Sequence, residues 1–334
     1  MADLPKVSVV VPVFNAGSKL VPSIESLLNQ TLKDIEIIIV NDASTDDSGS
    51  IIDQLAKENA NIVVVQFSEN KGVHEARLAG LKKSAAPWIG FLDADDFARP
   101  NMFQTLLSAA VDNDVDIAVC GSYRVTEQRK VIAPKLRFRR SERVDENVLE
   151  RFCAFEFGTG MLWNKLFRRS VIEPWFELHF PWRQSTNEDV LLNAACFYRA
   201  KSVFLMKDML HEYMESEESV TAKIDKVKAF VEIYSAFALA VDFFKGCDNK
   251  TLISIVDLYR NQFLRWDLQI YDLATLSDLQ PKIVEATELA YKASPLSLGL
   301  LVARSSRVDF LVKVKMYLKR FVKKLLQGPL YKGR

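Results

Sequence analysis

Trp88-Ile89-Gly90-Phe91-Leu92-Asp93-Ala94-Asp95-Asp96 decides how this chain is read. A short apolar run ends in three carboxylates within four positions. The run has the length of a strand buried on both faces, and the carboxylates mark its polar tip. Three like charges this close repel one another unless a cation is present. Hard divalent ions take oxygen ligands, and Mg²⁺ sites typically combine one or two carboxylates with substrate phosphates. For this segment alone, capping is the competing explanation. Asp95 or Asp96 would then open a helix that starts near Pro100.

The same pattern extends outward. Val7–Val11, Ile35–Val40 and Ile62–Phe67 are β-branched apolar runs of strand length. Between them, Leu20, Ile24, Leu27 and Leu28 fall at helical spacing, as do Ile51, Ile52, Leu55 and Ala56. Strand–helix–strand repetition predicts an α/β fold with a mostly parallel sheet and helices on both faces. Ligands of such sheets bind beyond the carboxyl ends of the strands. Phe14-Asn15, Asn41-Asp42 and Asp93–Asp96 all lie there by construction. At the second tip Asp42 suits a base or ribose, while Ser44 or Thr45 suits a helix cap. At the third, Asn70-Lys71-Gly72 permits close backbone approach. Arg77 then falls on the first turns of a helix, directed at a diphosphate or at the carboxylates, with a surface ion pair as its alternative.

Val115–Cys120 is a further strand, and the basic, apolar-poor stretch Glu127–Arg143 reads as a loop. Long helical periods begin near Asp225. These place the domains at 1–220 and 221–334, the second helical.

Composition narrows the function classes. The 334 residues are 49% hydrophobic and 26% charged, which suits a soluble globular chain and excludes a disordered one. A net charge of +1 argues against a whole-molecule nucleic-acid binder. Cys120, Cys153, Cys196 and Cys247 form no CxxC pair, so neither a disulfide framework nor a zinc site is expected, and a reducing cytoplasm is the default. The first residues lack the basic region and cleavage site of a signal peptide, and no run reaches a membrane span. There is no GxxxxGK[ST] and no GxSxG. Gly158-Thr159-Gly160 lacks the third glycine of the dinucleotide fingerprint.

VSVVVPVFN, EIIIVNDASTDDS, ENKGVHEARLAG and WIGFLDADD, in this order across residues 6–100, resemble the family 2 glycosyltransferases of GT-A fold. Met161-Leu162-Trp163-Asn164-Lys165-Leu166-Phe167 and Asn187-Glu188-Asp189-Val190-Leu191-Leu192 resemble the bacterial branch that decorates cell-surface polysaccharides and wall teichoic acids. The resemblance implies that Pro12, Phe14, Asn15 and Asp42 meet the base and ribose, and that Asn70, Gly72 and Arg77 line the nucleotide pocket. It implies that Asp93 and Asp95 bind the donor through Mn²⁺ or Mg²⁺, with Asp95 the direct ligand. Asp96, Trp163, Asn164, Lys165 and Glu188 are expected on the acceptor side, with a packed aromatic as the rival for Trp163. Inverting transfer needs a general base. The motif makes Asp189 that base, Glu188 its competitor, and a capped helix start the alternative for both. One position departs from the family. With Ser219-Val220-Thr221 aligned, Met214 stands where relatives carry a diphosphate-binding arginine. His211 nearby is either a metal ligand or an ordinary packed or surface histidine.

The C-terminal stretch has its own signature. Residues 301–334 hold ten basic residues and one acid, Asp309. At helical spacing Phe310, Leu311, Val314, Leu318, Phe321, Val322 and Leu325 share one face, with lysines opposite. A basic amphipathic helix over about 308–326 suits an anionic membrane surface. A helix packed on its own protein is the alternative, and nucleic acid fits less well because the aromatics lie away from the lysines.

The sequence therefore predicts an inverting, metal-dependent transferase. It would move sugar from a nucleotide-diphospho-sugar, a UDP-sugar by resemblance, to a glycan, teichoic acid or polyprenyl-linked acceptor. Its expected location is cytoplasmic, on the inner face of the membrane, with C-terminal helices available for oligomerisation. A non-catalytic sugar-nucleotide-binding module is the alternative.

Overall fold

The runs at 7–11, 35–40, 62–67 and 88–92 become β1 (Val7–Val13), β2 (Ile35–Asn41), β3 (Ile62–Gln66) and β4 (Trp88–Phe91). The computed structural model describes residues 4–158, 160–215, 225–265 and 280–304. All four strands pair in parallel, in the order β3-β2-β1-β4. Their apolar runs are continuous because helices cover both faces. Val7, Val9, Val10 and Val11 are all fully buried. The covering helices are α1 (Leu20–Leu28), α2 (Ser48–Glu58) and α3 (Val73–Lys83). On α3, a Cβ at Gly80 would lie 2.4 Å from Val10 Cγ1, so only glycine lets this helix sit so close to β1.

The sheet continues with β5 (Phe97–Ala98), α4 (Met102–Asp112), β6 (Ile117–Val125), β7 (Val131–Leu136) and β8 (Glu142–Val144). Then come α5 (Val148–Cys153), β9 (Lys165–Arg168), α6 (Arg169–Ile172), α7 (Glu188–Arg199) and β10 (Val203–Met214). The path beyond β4 is β9-β6-β10-β5, with β9 antiparallel between β4 and β6. Residues 127–143 are thus not a plain loop. β7 pairs antiparallel with β6, and β8 with β10. Val131 and Ile132 stay exposed on β7, so this strand shows none of the buried alternation that marks a strand in sequence.

Two cap assignments also change. The helix after β4 begins at Met102, and its N-cap residue Asn101 makes no side-chain cap bond, so neither Asp95 nor Asp96 caps it. The helix after β2 begins at Ser48, whose N–H donates to Asp46 Oδ1 at 3.0 Å; Ser44 and Thr45 lie outside it. The four cysteines are free.

The chain divides into two compact units near residue 223. The second contains the helices Lys226–Phe243, Asn249–Arg265, Gln280–Ala293 and Pro295–Arg304. Asp225 opens the first of them, accepting the Lys228 N–H at 2.8 Å. That helix is buried on every side from Ala229 to Val241, as a central helix must be. Two polar links tie it to Gln280–Ala293: Lys282 Nζ to Glu232 at 2.7 Å, and the Tyr234–Thr287 hydroxyl pair at 2.9 Å. Among the described residues no helix is long and apolar enough to cross a membrane. The basic segment 308–326 and Ser219-Val220-Thr221 lie outside the described residues.

Candidate active site

From β1 the chain adds β2 and β3 on one side, then returns to place β4 on the other. Loops leaving β1 and β4 therefore part in opposite directions, opening a crevice at the carboxyl ends of the strands. Pro12 lies in β1 one residue before its end, Phe14 and Asn15 leave that strand, Asp42 leaves β2, and Asp93 follows β4. Phe14 is 50% exposed and offers a free aromatic face.

Several residues predicted to touch a nucleotide also hold the tips to one another. Asn15, at φ +50°, accepts the Thr45 N–H at 2.8 Å through Oδ1 and donates its own N–H to Ser44 Oγ at 3.0 Å. Asp42 is buried, and its two oxygens accept the N–H groups of Lys71 at 2.6 Å and Gly72 at 2.8 Å. Asn70 donates to the Asp42 carbonyl at 3.2 Å and accepts from Arg183. Gly72, at φ +92°, is the N-cap residue of α3, and a Cβ there would sit 3.2 Å from Arg183 Nε. Arg183 was not anticipated, because nothing in its local sequence ties it to residue 70.

Arg77 joins the two halves of the site. Its guanidinium is buried, pairs with Glu188, and reaches Asp93 Oδ1 at 3.2 Å. Burial alone would lower its pKa, but the carboxylates of Glu188, Asp93 and Asp189 push it up and hold it charged. This is no surface ion pair. Glu188 and Asp189 form the first turn of α7, behind Asn187 at φ +66°, which makes no side-chain cap bond. The helix start and the acidic motif are thus the same object. Asp189 Oδ1 accepts the adjacent Val190 N–H at 2.8 Å. Burial, then the Glu188 charge, raises its carboxyl above the usual range. Asn193 fixes this turn by donating to the carbonyls of Gly160 at 2.6 Å and Asp189 at 3.0 Å.

The five residues expected on the acceptor side are all buried. Asn164 and Lys165 are fully buried at the start of β9, the strand wedged into the sheet. Asn164 donates to the Cys120 carbonyl at 2.7 Å, and Lys165 Nζ donates to Asn164 Oδ1 at 3.0 Å and to the Met161 carbonyl at 2.5 Å. Burial pushes the Lys165 ammonium down to about 7 against the pull of Asp189. Trp163 is 4% exposed and lies flat on His211, centroids 3.8 Å apart. Asp96 faces inward too: Oδ1 accepts the Met214 N–H at 2.9 Å, and Oδ2 lies 3.4 Å from His211 Nε2. His211 shares Nδ1 with Ser122 Oγ at 3.0 Å, and burial pushes its pKa down to about 3, so it is neutral. Glu188 is engaged by Arg77.

Asp93, Asp95 and Asp96 suit a divalent cation by their chemistry. Burial, then Asp96 and Asp93, lifts the Asp95 carboxyl to about 7, a cost that a cation would remove. Asp96 Oδ2 is buried without a hydrogen bond among the described residues. Among the described residues no three His, Cys, Asp or Glu side chains converge as a ligand cluster. The donor set therefore fits an ion shared with phosphate oxygens, not a cage made wholly of protein.

The match to known proteins follows the same segment. The family model for Glycosyl transferase family 2 matches residues 8–176, half of the chain. This chain belongs to that family. The uncharacterized glycosyltransferase EpsJ of Bacillus subtilis is 36% identical to this family member over 220 residues, 65% of the chain and 63% of EpsJ. The Staphylococcus aureus poly(ribitol-phosphate) β-N-acetylglucosaminyltransferase TarP is 30% identical over 211 residues, 62% of each chain. The matches thus span under two thirds of these relatives. The crystal structure of S. aureus TarS 1–349 in complex with UDP-GlcNAc superposes with a TM-score of 0.68 at 17% identity, covering 94% of this chain and 92% of that one. The fold is accordingly that of a GT-A glycosyltransferase followed by helices.

Proposed function

We propose that this family 2 member is an inverting glycosyltransferase. It takes sugar from a nucleotide-diphospho-sugar of the uridine type and places it on a hydroxyl of a cell-surface polymer or its lipid-linked precursor. One observation carries the reading: Arg77 ties the carboxylate at the tip of β4 to the acidic start of α7, which supports a single site for the donor and base motifs. The UDP-GlcNAc bound by TarS and the poly(ribitol-phosphate) substrate in the name of TarP support the substrate classes.

The residues divide the chemistry as follows. Phe14 presents a face for the base, beside the tips held by Asn15 and Asp42. Asp93 and Asp95 would hold a divalent metal with the donor diphosphate. Bound there, it would supply Lewis-acid neutralisation of charge on the leaving phosphate. In the displacement the acceptor oxygen bonds to the anomeric carbon as the bond to the diphosphate breaks. The acceptor proton passes to Asp189, whose raised pKa suits a base working near neutrality. Arg77 keeps Glu188 and Asp93 in register through that step.

The test is turnover of a panel of UDP-sugars with Mn²⁺ or Mg²⁺, by transfer to a teichoic acid or polyprenyl-linked acceptor and by hydrolysis in its absence. Metal-dependent release of UDP supports the reading. UDP-sugar binding without transfer or hydrolysis on any acceptor would favour a non-catalytic binding module.

A further inference from the structure

Lys135 lies on β7, within the stretch whose sequence reads as a loop. Its ammonium sits 3.1 Å from the centroid of the Tyr213 ring and 5.9 Å from that of Trp163. Trp163 in turn stacks on His211, and His211 meets Asp96, so the lysine caps a layered wall running down to the carboxylate cluster. Among the described residues Lys135 makes no ion pair and no hydrogen bond. Asp96, Glu215 and Asp93 attract it, Arg124 repels it, and burial pushes its pKa down.

A half-buried ammonium with no ion pair among the described residues is costly, and the aromatic faces offset only part of that cost. They hold the ammonium on one side and leave its other N–H donors for solvent or a ligand. Each nearby carboxylate has a partner on one oxygen: Asp96 Oδ1 the Met214 amide, Asp93 Oδ1 Arg77, and Glu215 Oε1 Arg124. Met214, the last residue of β10, is buried and apolar. The arrangement is a fixed, unspent cation beside carboxylates suited to a metal. A ligand suited to both is a phosphate-bearing anion.

We propose that Lys135 is a donor-binding residue whose ammonium contacts the diphosphate of the nucleotide sugar and carries the charge that gathers on it as it departs. This rests on the functional reading above. It assigns a phosphate contact to β7.

Calorimetry in Mn²⁺ buffer with UDP and UMP separates the two ideas. Wild-type protein that binds neither nucleotide overturns the functional reading, and the proposal with it. Given wild-type binding, Lys135→Met is expected to weaken UDP by about 10- to 100-fold while UMP stays within about twofold, because the lost contact is to charge that UMP lacks. Lys135→Arg should retain most of the UDP affinity, and Lys135→Met should lower turnover at saturating donor by about 10²-fold. Equal losses for UDP and UMP, or unchanged UDP affinity with a raised KM for a phosphate-bearing acceptor, would overturn the assignment. Lys135→Gln repeats the comparison should Lys135→Met melt below the wild type.

Discussion

Arg77, on the helix after the third strand, is ion-paired with Glu188, 111 residues further along the chain. Both are buried, and the same guanidinium reaches Asp93. The pair is the hinge of the site, since it fixes the first turn of α7, and with it Asp189, relative to the tip of β4.

Removing one partner of a buried pair leaves the other charge uncompensated, at a cost of about 3–5 kcal/mol. Arg77→Met is therefore expected to lower unfolding stability by that amount in urea melts. The double variant Arg77→Met/Glu188→Gln should cost less than the sum of the single changes. Strict additivity would show that the pair is not coupled.

Asp189→Asn keeps size and hydrogen bonding but removes basicity. Transfer should fall by at least about 10²-fold while UDP-sugar affinity stays within a few-fold. Because the Asp189 carboxyl is raised and must be ionised to act, wild-type kcat/KM should fall on acidification through a pKa above the usual carboxylate range. Glu188→Gln is expected to act mainly on stability. Near-normal transfer by Asp189→Asn together with loss in Glu188→Gln would move the base to Glu188.

Asp95→Asn relieves repulsion among three carboxylates, so its melting temperature in metal-free buffer should equal or exceed that of wild type. The variant should lose the metal-dependent part of UDP affinity. Identical UDP isotherms for both proteins with Mn²⁺ would remove Asp95 from the donor site.

His74 offers a pH signature outside the site. It is buried, stacked on Phe180 at 3.7 Å, and desolvation pushes its pKa down to about 4 from 6.5. Between those values the unfolded chain binds a proton that the native ring does not, so stability is lost as pH falls from 6.5 to 4. Relative to His74→Phe, wild type should lose about 1.4 kcal/mol per pH unit across this window. Parallel stability curves for the two proteins would mean that the native ring protonates freely.

The basic segment makes a prediction from spacing alone. Deleting 308–334 should release the protein from anionic vesicles while a soluble acceptor is still glycosylated. Unchanged co-sedimentation would assign the segment to another role.

Local pattern was sufficient wherever a feature repeats at the period of its own element. Buried parallel strands announce themselves as unbroken β-branched runs, and the chain must turn where those runs meet Asn15, Asp42 and Asp93. The strand order was not needed to locate the ligand end, because every tip of a parallel sheet points the same way. Glu188 and Asp189 were legible because a motif and a helix start coincide. The partners of these residues were not legible. Whether Asp42 clamps Gly72, whether Asn15 clamps Thr45, and whether Arg77 finds Glu188 depend on how distant segments are brought together. No periodicity encodes that. Only the insertion of β9 between β4 and β6 buries Asn164 and Lys165, and only the pairing of β7 with β6 carries Lys135 to Tyr213 and Trp163. The sequence by itself determined the kind of sheet, its ligand-bearing end and the acidic residues there. The tertiary structure decided which of those charges are spent on one another and which remain for a ligand, because a charge is committed only by what packs against it.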